Sequence, residues 1–276
     1  MDSRDARKQY VEYANAIAYI DVEKENGDRS IGSAFHIGEG VFVTARHVVE
    51  NCRIIEVKIT EPVSVSSREF IREILKVDVT DEYIREYDET LCEAMGHSPL
   101  FKHYLKPLEI VAGPHFAKEP GFDVAVFRVR EIHPAAGVIK LGVHWDDWVY
   151  RGLWHLSDAT VLGFPPVPMV NEPVLVAARA EIHTFVVPRH APAVHFILSA
   201  TPRGGFSGGG VAIHERGDAL GVITSSFNKN HEPEQLGFFA VVSIEAIIKC
   251  LEHNDMYPKF QKEYHDKVLG LSGEKT

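Results

Sequence analysis

Short apolar runs, each closed off by Gly, Pro, Asn or Asp, recur along almost the whole chain, and no other feature of the sequence restricts the fold as much. In the stretch 16–23, Ile17, Tyr19 and Val22 sit on apolar-rich positions before Asn26-Gly27-Asp28, which predicts a strand and a hairpin turn. A second strand is expected over 30–37. The tight turn Gly38-Glu39-Gly40 then leads into a third, Val41-Phe42-Val43-Thr44. Further runs fall at 54–60, 107–112, 122–130, 159–163, 174–178, 194–199, 210–214, 219–224 and 237–242. A meander of this kind excludes alternating βαβ units and predicts an all-β sandwich or barrel.

Helical spacing is the exception. A short helix is expected over 4–15. Another is expected over 243–253, opened by Ser243 as N-cap, with Ile244, Ile247, Ile248 and Leu251 on one face. Between about 67 and 95, Phe70, Ile71, Ile74, Leu75, Tyr83, Ile84, Tyr87 and Leu91 approximate helical spacing among many acidic residues, which reads as a partly helical insertion. The last twenty or so residues read as a polar tail. No repeat, linker or shift of composition marks a second unit, so a single domain is expected over 1–276, with its core at about 15–252.

Composition removes whole classes of function. With 45% hydrophobic and 25% charged residues the chain can bury a core, which excludes a disordered or fibrous protein. A formal charge of −10 and the lack of a basic patch argue against a nucleic-acid partner, because phosphate contacts need clustered Lys and Arg. The first residues carry charges where a leader would have its apolar stretch, and no run reaches the ~20 apolar residues of a spanning helix. Cys52, Cys92 and Cys250 are scattered and odd in number, as expected of free thiols in a reducing compartment. A cytoplasmic protein with no membrane association is the expectation.

The chemistry concentrates in Arg203-Gly204-Gly205-Phe206-Ser207-Gly208-Gly209-Gly210. Glycines flanking one serine let the backbone approach a ligand and aim N–H groups at it. In acyl transfer the Gly205 and Ser207 N–H groups suit the two oxyanion donors, with Ser207 as nucleophile. A bare Gly-rich turn is the plain alternative. The string also matches the Gly-x-Ser-x-Gly nucleophile elbow, which demands a following helix and a later acid and His; here a strand and a turn follow. His47 lies just past the apolar strand that ends at Thr44, where a scaffold presents side chains to a cleft. Asp123 interrupts the apolar run Gly121-Phe122-Asp123-Val124-Ala125-Val126-Phe127, and a buried carboxylate needs a partner such as an imidazole N–H.

Thr44-Ala45-Arg46-His47, then a lone Asp123 opening an apolar strand, then Gly205-Phe206-Ser207-Gly208-Gly209, give the order His, Asp, Ser. In these motifs the chain resembles the trypsin-like, chymotrypsin-fold serine peptidases, and more closely their disulfide-free HtrA-type branch. Gly32-Ser33-Ala34-Phe35, Val161-Leu162-Gly163-Phe164-Pro165, Leu220-Gly221-Val222-Ile223-Thr224 and Gly237-Phe238-Phe239-Ala240-Val241 extend the resemblance over most of 15–252. It implies two six-stranded antiparallel β-barrels and a His47, Asp123, Ser207 triad with Gly205 and Ser207 as oxyanion donors. It also implies a supporting hydroxyl at Thr224, and a specificity pocket with Thr201 near its base and Ser226 and Gly237 along its walls. No cofactor is implied, and the partner is a protein or peptide substrate.

The departures from that family bear on control. Phe206 stands where secreted members carry the Asp that pairs with a newly cut N-terminus, so activation by that ion pair is not expected. The long interval between His47 and Asp123 holds the acidic insertion, and too little chain follows position 252 for a PDZ domain. Switching by a protein partner is therefore expected, with a catalytically silent binding or scaffold module as the alternative. His133, His144 and His155 could suggest zinc, but without HExxH or paired Cys spacing they read as surface histidines and no metal is expected.

Overall fold

The computed structural model describes residues 1–64, 101–119, 121–134, 136–167, 169–170, 172–189, 191–200, 209–224 and 239–270. Helix α1 (Ser3–Tyr13) starts where Asp2 accepts hydrogen bonds from the Arg4 and Asp5 N–H groups at 2.7 and 2.9 Å, satisfying two of the donors that a helix start leaves open. A single 3₁₀ turn, Ala14–Ala16, passes the chain into β1 (Ile17–Lys24). Gly27, at φ +86°, allows the turn to β2 (Arg29–His36), and β3 (Val41–Thr44) follows across the Gly38–Gly40 turn.

These strands belong to a seven-stranded antiparallel sheet with β4 (Cys52–Ser64), β5 (Phe101–Pro107), β6 (Ile110–Phe116) and β7 (Ala125–Val129), in the order β5-β4-β1-β2-β3-β7-β6. Among the described residues this first barrel of the expected pair is a half-barrel of seven strands, one more than the six expected. Strand β4 outruns β1, whose pairing with it ends at Ile59, and along its other edge β4 pairs with β5 from Lys58 (opposite Pro107) through the overhang to Ser64 (opposite Phe101), so β5 becomes an added edge. The single strand expected over 107–112 is in fact the end of β5, a short turn and the start of β6. Phe35, Phe42 and Phe127 fill the sheet's core, the last two stacked at 5.4 Å between centroids.

The second half closes completely. Strands β8 (Asp158–Gly163), β9 (Val176–Val186), β10 (His195–Leu198), β11 (Val211–His214), β12 (Ala219–Ile223) and β13 (Phe239–Ser243) form a six-stranded antiparallel barrel in the order β10-β13-β12-β11-β8-β9. Closure removes the unpaired edges. Val161, Ile182, Phe196, Leu220 and Val241 pack inside it. The helices are short: α2 (Arg46–Val49), α3 (Asp146–Val149), α4 (Ile244–His253) and α5 (Lys259–Val268). Helix α4 buries Ile244, Ile247, Ile248 and Leu251 as its spacing predicts. Ser243 is its N-cap residue but its hydroxyl is spent elsewhere, donating to Asp146 Oδ1 at 2.6 Å and so tying α4 to α3. The expected polar tail is instead the helix α5, which buries Gln261 and His265.

Cys52 is half-buried and Cys250 buried, both as free thiols, and burial pushes the Cys250 thiol up to about 12. Cys92 and the insertion expected at about 67–95 lie outside the described residues. Among those that are described, no helix is long and apolar enough to cross a membrane.

Candidate active site

The two halves meet through small and hydroxyl side chains. Thr44 at the end of β3 donates its hydroxyl to Ser33 O at 2.7 Å, and the Ser33 hydroxyl accepts from the Phe164 N–H at 2.8 Å, linking β2 to the exit of β8. Gly209 packs into the same junction. Its φ is +82°, and a Cβ there would collide with Ser33 O and Thr44 Oγ1 and approach Ala45 N to 2.7 Å. Its N–H donates to Ile223 O (3.2 Å), while Ile223 N–H donates to Gly210 O (2.8 Å). The chain just beyond Ser207 is therefore held against the segment that carries His47.

That segment turns sharply. Ala45 is extended, and the single-turn α2 then lifts His47 out of the sheet while Val48 and Val49 anchor the turn in the core. Arg46 steadies it from the side, its guanidinium 5.0 Å from the Phe116 ring centroid and its Nε and Nη2 donating to Glu50 Oε1 at 2.9 and 2.5 Å. Asp123 lies on the loop between β6 and β7, between the buried Phe122 and Val124. Its Oδ1 accepts from the His47 backbone N–H at 2.9 Å, and its Oδ2 lies 2.7 Å from His47 Nδ1. Burial pushes the Asp123 carboxyl up, but the His47 side-chain hydrogen bond, helped by His47 and His195 charge and the backbone bond, holds it below the usual carboxylate value. An ionised acceptor at Nδ1 requires that nitrogen to carry the proton, so the neutral imidazole presents a bare Nε2. The His47 side chain is 41% exposed and that of Asp123 only 23%, the arrangement of a base that faces a cleft with its orienting acid behind it.

Of the sequence-predicted site residues, the structure thus brings His47 and Asp123 into direct contact. Thr224 is buried immediately after β12, its N–H donating to Ala240 O at 3.1 Å. Ser207, Gly205, Phe206, Thr201, Ser226 and Gly237 lie outside the described residues. Beyond Gly210 the chain enters β11, so the helix that a nucleophile elbow demands is absent there. Sequence reasoning missed the Arg46–Phe116 stack and the interlock of Ser33, Thr44 and Gly209, since each joins residues far apart in the chain.

His133 and His155 are exposed, but the reading of His144 as a surface residue is corrected. Its ring is buried between Trp154 and Phe196, at 5.2 and 5.7 Å between centroids, and Nε2 donates to Leu220 O at 3.1 Å. Among the described residues no three His, Cys, Asp or Glu side chains converge as metal ligands.

No family model and no curated protein sequence matches the chain. Solved structures do. The chain is similar to the HtrA-type protease AlgW with a tripeptide (TM-score 0.55, 16% identity, 92% of this chain and 65% of that one). It is also similar to the active form of the Rv3671c protease from M. tuberculosis (TM-score 0.56, 16% identity, 89% and 83% covered). A third match is the serine endoprotease from Yersinia pestis (TM-score 0.52, 14% identity, 92% and 66% covered). The chain spans less than two thirds of the length of the HtrA-type structures it matches. These likenesses establish the fold, the chymotrypsin-like double barrel found in HtrA-type trypsin-like serine proteases.

Proposed function

We propose that the chain is a serine endopeptidase that cleaves protein or peptide substrates with Ser207 as nucleophile, His47 as general base and Asp123 as the group that orients and stabilises the imidazole. One observation carries this reading: the Asp123 carboxylate grips His47 through both its ring Nδ1 and its backbone N–H, at 2.7 and 2.9 Å. A carboxylate held ionised behind a half-exposed imidazole has little structural use and an evident chemical one. The packing of Gly209 against Thr44 and Ala45 supports the choice of Ser207, which lies two residues upstream, because two residues of chain span at most about 7 Å.

In the proposed reaction His47 Nε2 removes the proton from Ser207 Oγ as that oxygen attacks the scissile carbonyl carbon. The tetrahedral oxyanion is held by the N–H groups of Gly205 and Ser207, each worth about 3 kcal/mol in systems of this kind. Collapse breaks the C–N bond, and the imidazolium returns its proton to the leaving amine. Water, deprotonated in turn by His47, then hydrolyses the acyl-enzyme and regenerates Ser207. Side chains and backbone N–H groups of this one chain, with water, supply every group, so no cofactor is invoked. Thr224 is assigned as support for Asp123. Thr201, Ser226 and Gly237 are assigned to the specificity pocket, which then lacks a carboxylate for Lys or Arg.

Control by a protein partner completes the proposal. Phe206 offers no carboxylate to a newly cut N-terminus, and the residues around it are glycines with several accessible backbone states, so one flipped peptide removes an oxyanion donor. A partner that selects the competent state raises kcat more than it lowers KM. An active-site-directed fluorophosphonate tests the assignment without knowledge of the substrate. Covalent phosphonylation at Ser207 that depends on His47 supports it, and an unmodified Ser207 favours a silent scaffold.

A further inference from the structure

Helix α5, KFQKEYHDKV, is mostly polar, yet Gln261 is completely buried and His265 nearly so. A primary amide leaves water at a cost unless its groups are paired. Here all three partners are backbone groups: Gln261 Nε2 donates to Ile37 O (2.7 Å) and Ile139 O (2.9 Å), and Oε1 accepts from Leu141 N–H (3.0 Å). One turn on, His265 Nε2 donates to Leu141 O at 3.1 Å. The start of α5 is capped from outside the helix, since Glu39 Oε1 accepts from the Lys259 and Phe260 N–H groups at 2.8 and 3.3 Å. Near its end the Tyr264 hydroxyl donates to Asp218 Oδ1 at 2.8 Å.

These bonds reach three places at once: the β2–β3 turn, the connection between the two barrels at 139–141, and the β11–β12 turn. Both turns are the rear ends of hairpins whose front ends lie at the candidate site. From the first, β3 runs about 13 Å to Thr44, just before His47. From the second, β11 and β12 lead back to Gly210 and Thr224, the described residues that border the Ser207 loop and the next loop.

We infer that α5 is a rear clasp that fixes the two barrels relative to one another, and with them the approach of His47 to the Ser207 loop, making Gln261 and Tyr264 positioning residues. The catalytic half of this inference rests on the serine-peptidase reading; the clasp itself does not. His47 and Asp123 both belong to the first barrel, so loosening the clasp leaves their contact intact and misplaces only the nucleophile across the junction. That predicts a fall in kcat with KM little changed.

The test uses the full chain with Tyr264→Phe, which removes only the tie to Asp218, and Gln261→Met, which leaves three buried backbone groups unpaired. Tyr264→Phe lowers kcat by about three- to tenfold, the equivalent of one hydrogen bond. Gln261→Met lowers it further. In both, the low-field proton signal of His47 Nδ1 stays in place, and amide exchange quickens in the β11–β12 turn; in Gln261→Met it quickens in the β2–β3 turn as well. Should Gln261→Met fail to fold, Tyr264→Phe carries the comparison. Parental exchange in these turns, or quickened exchange with kcat within twofold of the parent, overturns the inference. If the parent neither hydrolyses peptides nor takes up the fluorophosphonate, the peptidase reading fails while the exchange data still decide the clasp.

Discussion

At the scale of single residues the account turns on two atoms of Asp123. Oδ2 keeps the proton on His47 Nδ1, and Oδ1, bonded to the backbone N–H, fixes the tilt of the carboxylate. Asp123→Asn preserves the size of the group but offers an amide where a carboxylate was, so the imidazole adopts the other tautomer and presents an N–H to Ser207. The expected loss in kcat is about 10⁴, measured by steady-state hydrolysis at a pH where His47 is neutral, with the fold unchanged by circular dichroism. A loss below tenfold would remove Asp123 from the mechanism. This pairing was legible in the sequence because a lone carboxylate in an apolar run demands a partner of opposite or donating character. The burial of His144 was not, because its acceptor, Leu220 O, arrives from a distant strand of the second barrel.

At the scale of elements, hairpins and strands follow from local chemistry, and junctions do not. The first three strands, the β11–β12 pair and α4 lie close to where alternation, turn glycines and helical spacing put them. Strand β5 and helix α5 escaped that reading for one reason: each is stabilised by pairing with a distant segment, the β4 overhang in one case and Gln261's backbone partners in the other. The same holds for Gly209, which reads as one glycine among several until its contacts with Ser33, Thr44 and Ala45 show that only a missing side chain fits. Gly209→Ala combines a left-handed backbone with a collision, for a cost of about 3 kcal/mol or more. A lowered thermal midpoint together with slower fluorophosphonate uptake is the expected outcome. Parental values for both would mean that the junction is not the close contact described.

For the whole molecule, buried histidines make both halves sensitive to acid: burial lowers His36 at the end of β2 in the first sheet as it does His144 and His214 at the second barrel. Burial lowers both His144 and His214 to about 4, with the charge of Arg216 adding to the effect at each. Both rings pack on Trp154, which lies under the Arg216 guanidinium at 5.4 Å. The unfolded chain protonates these histidines near 6.5 and the folded one only near 4, so stability is complete above about pH 6.5 and falls as the pH drops towards 4, by up to about 3 kcal/mol per ring. Asp123, with its pKa lowered, keeps its contribution through that window and loses it only in stronger acid. Denaturant titrations at pH 7 and pH 5 check the sign; equal midpoints would contradict it. The central claim, that the double barrel joins His47 and Asp123 to a nucleophilic serine, meets its most direct test in reaction of the full chain with a fluorophosphonate followed by peptide mapping. The account predicts one adduct, on Ser207, absent in Ser207→Ala and strongly slowed in His47→Ala. An unmodified Ser207 in the folded chain, or labelling that persists at the parental rate without His47, would contradict it.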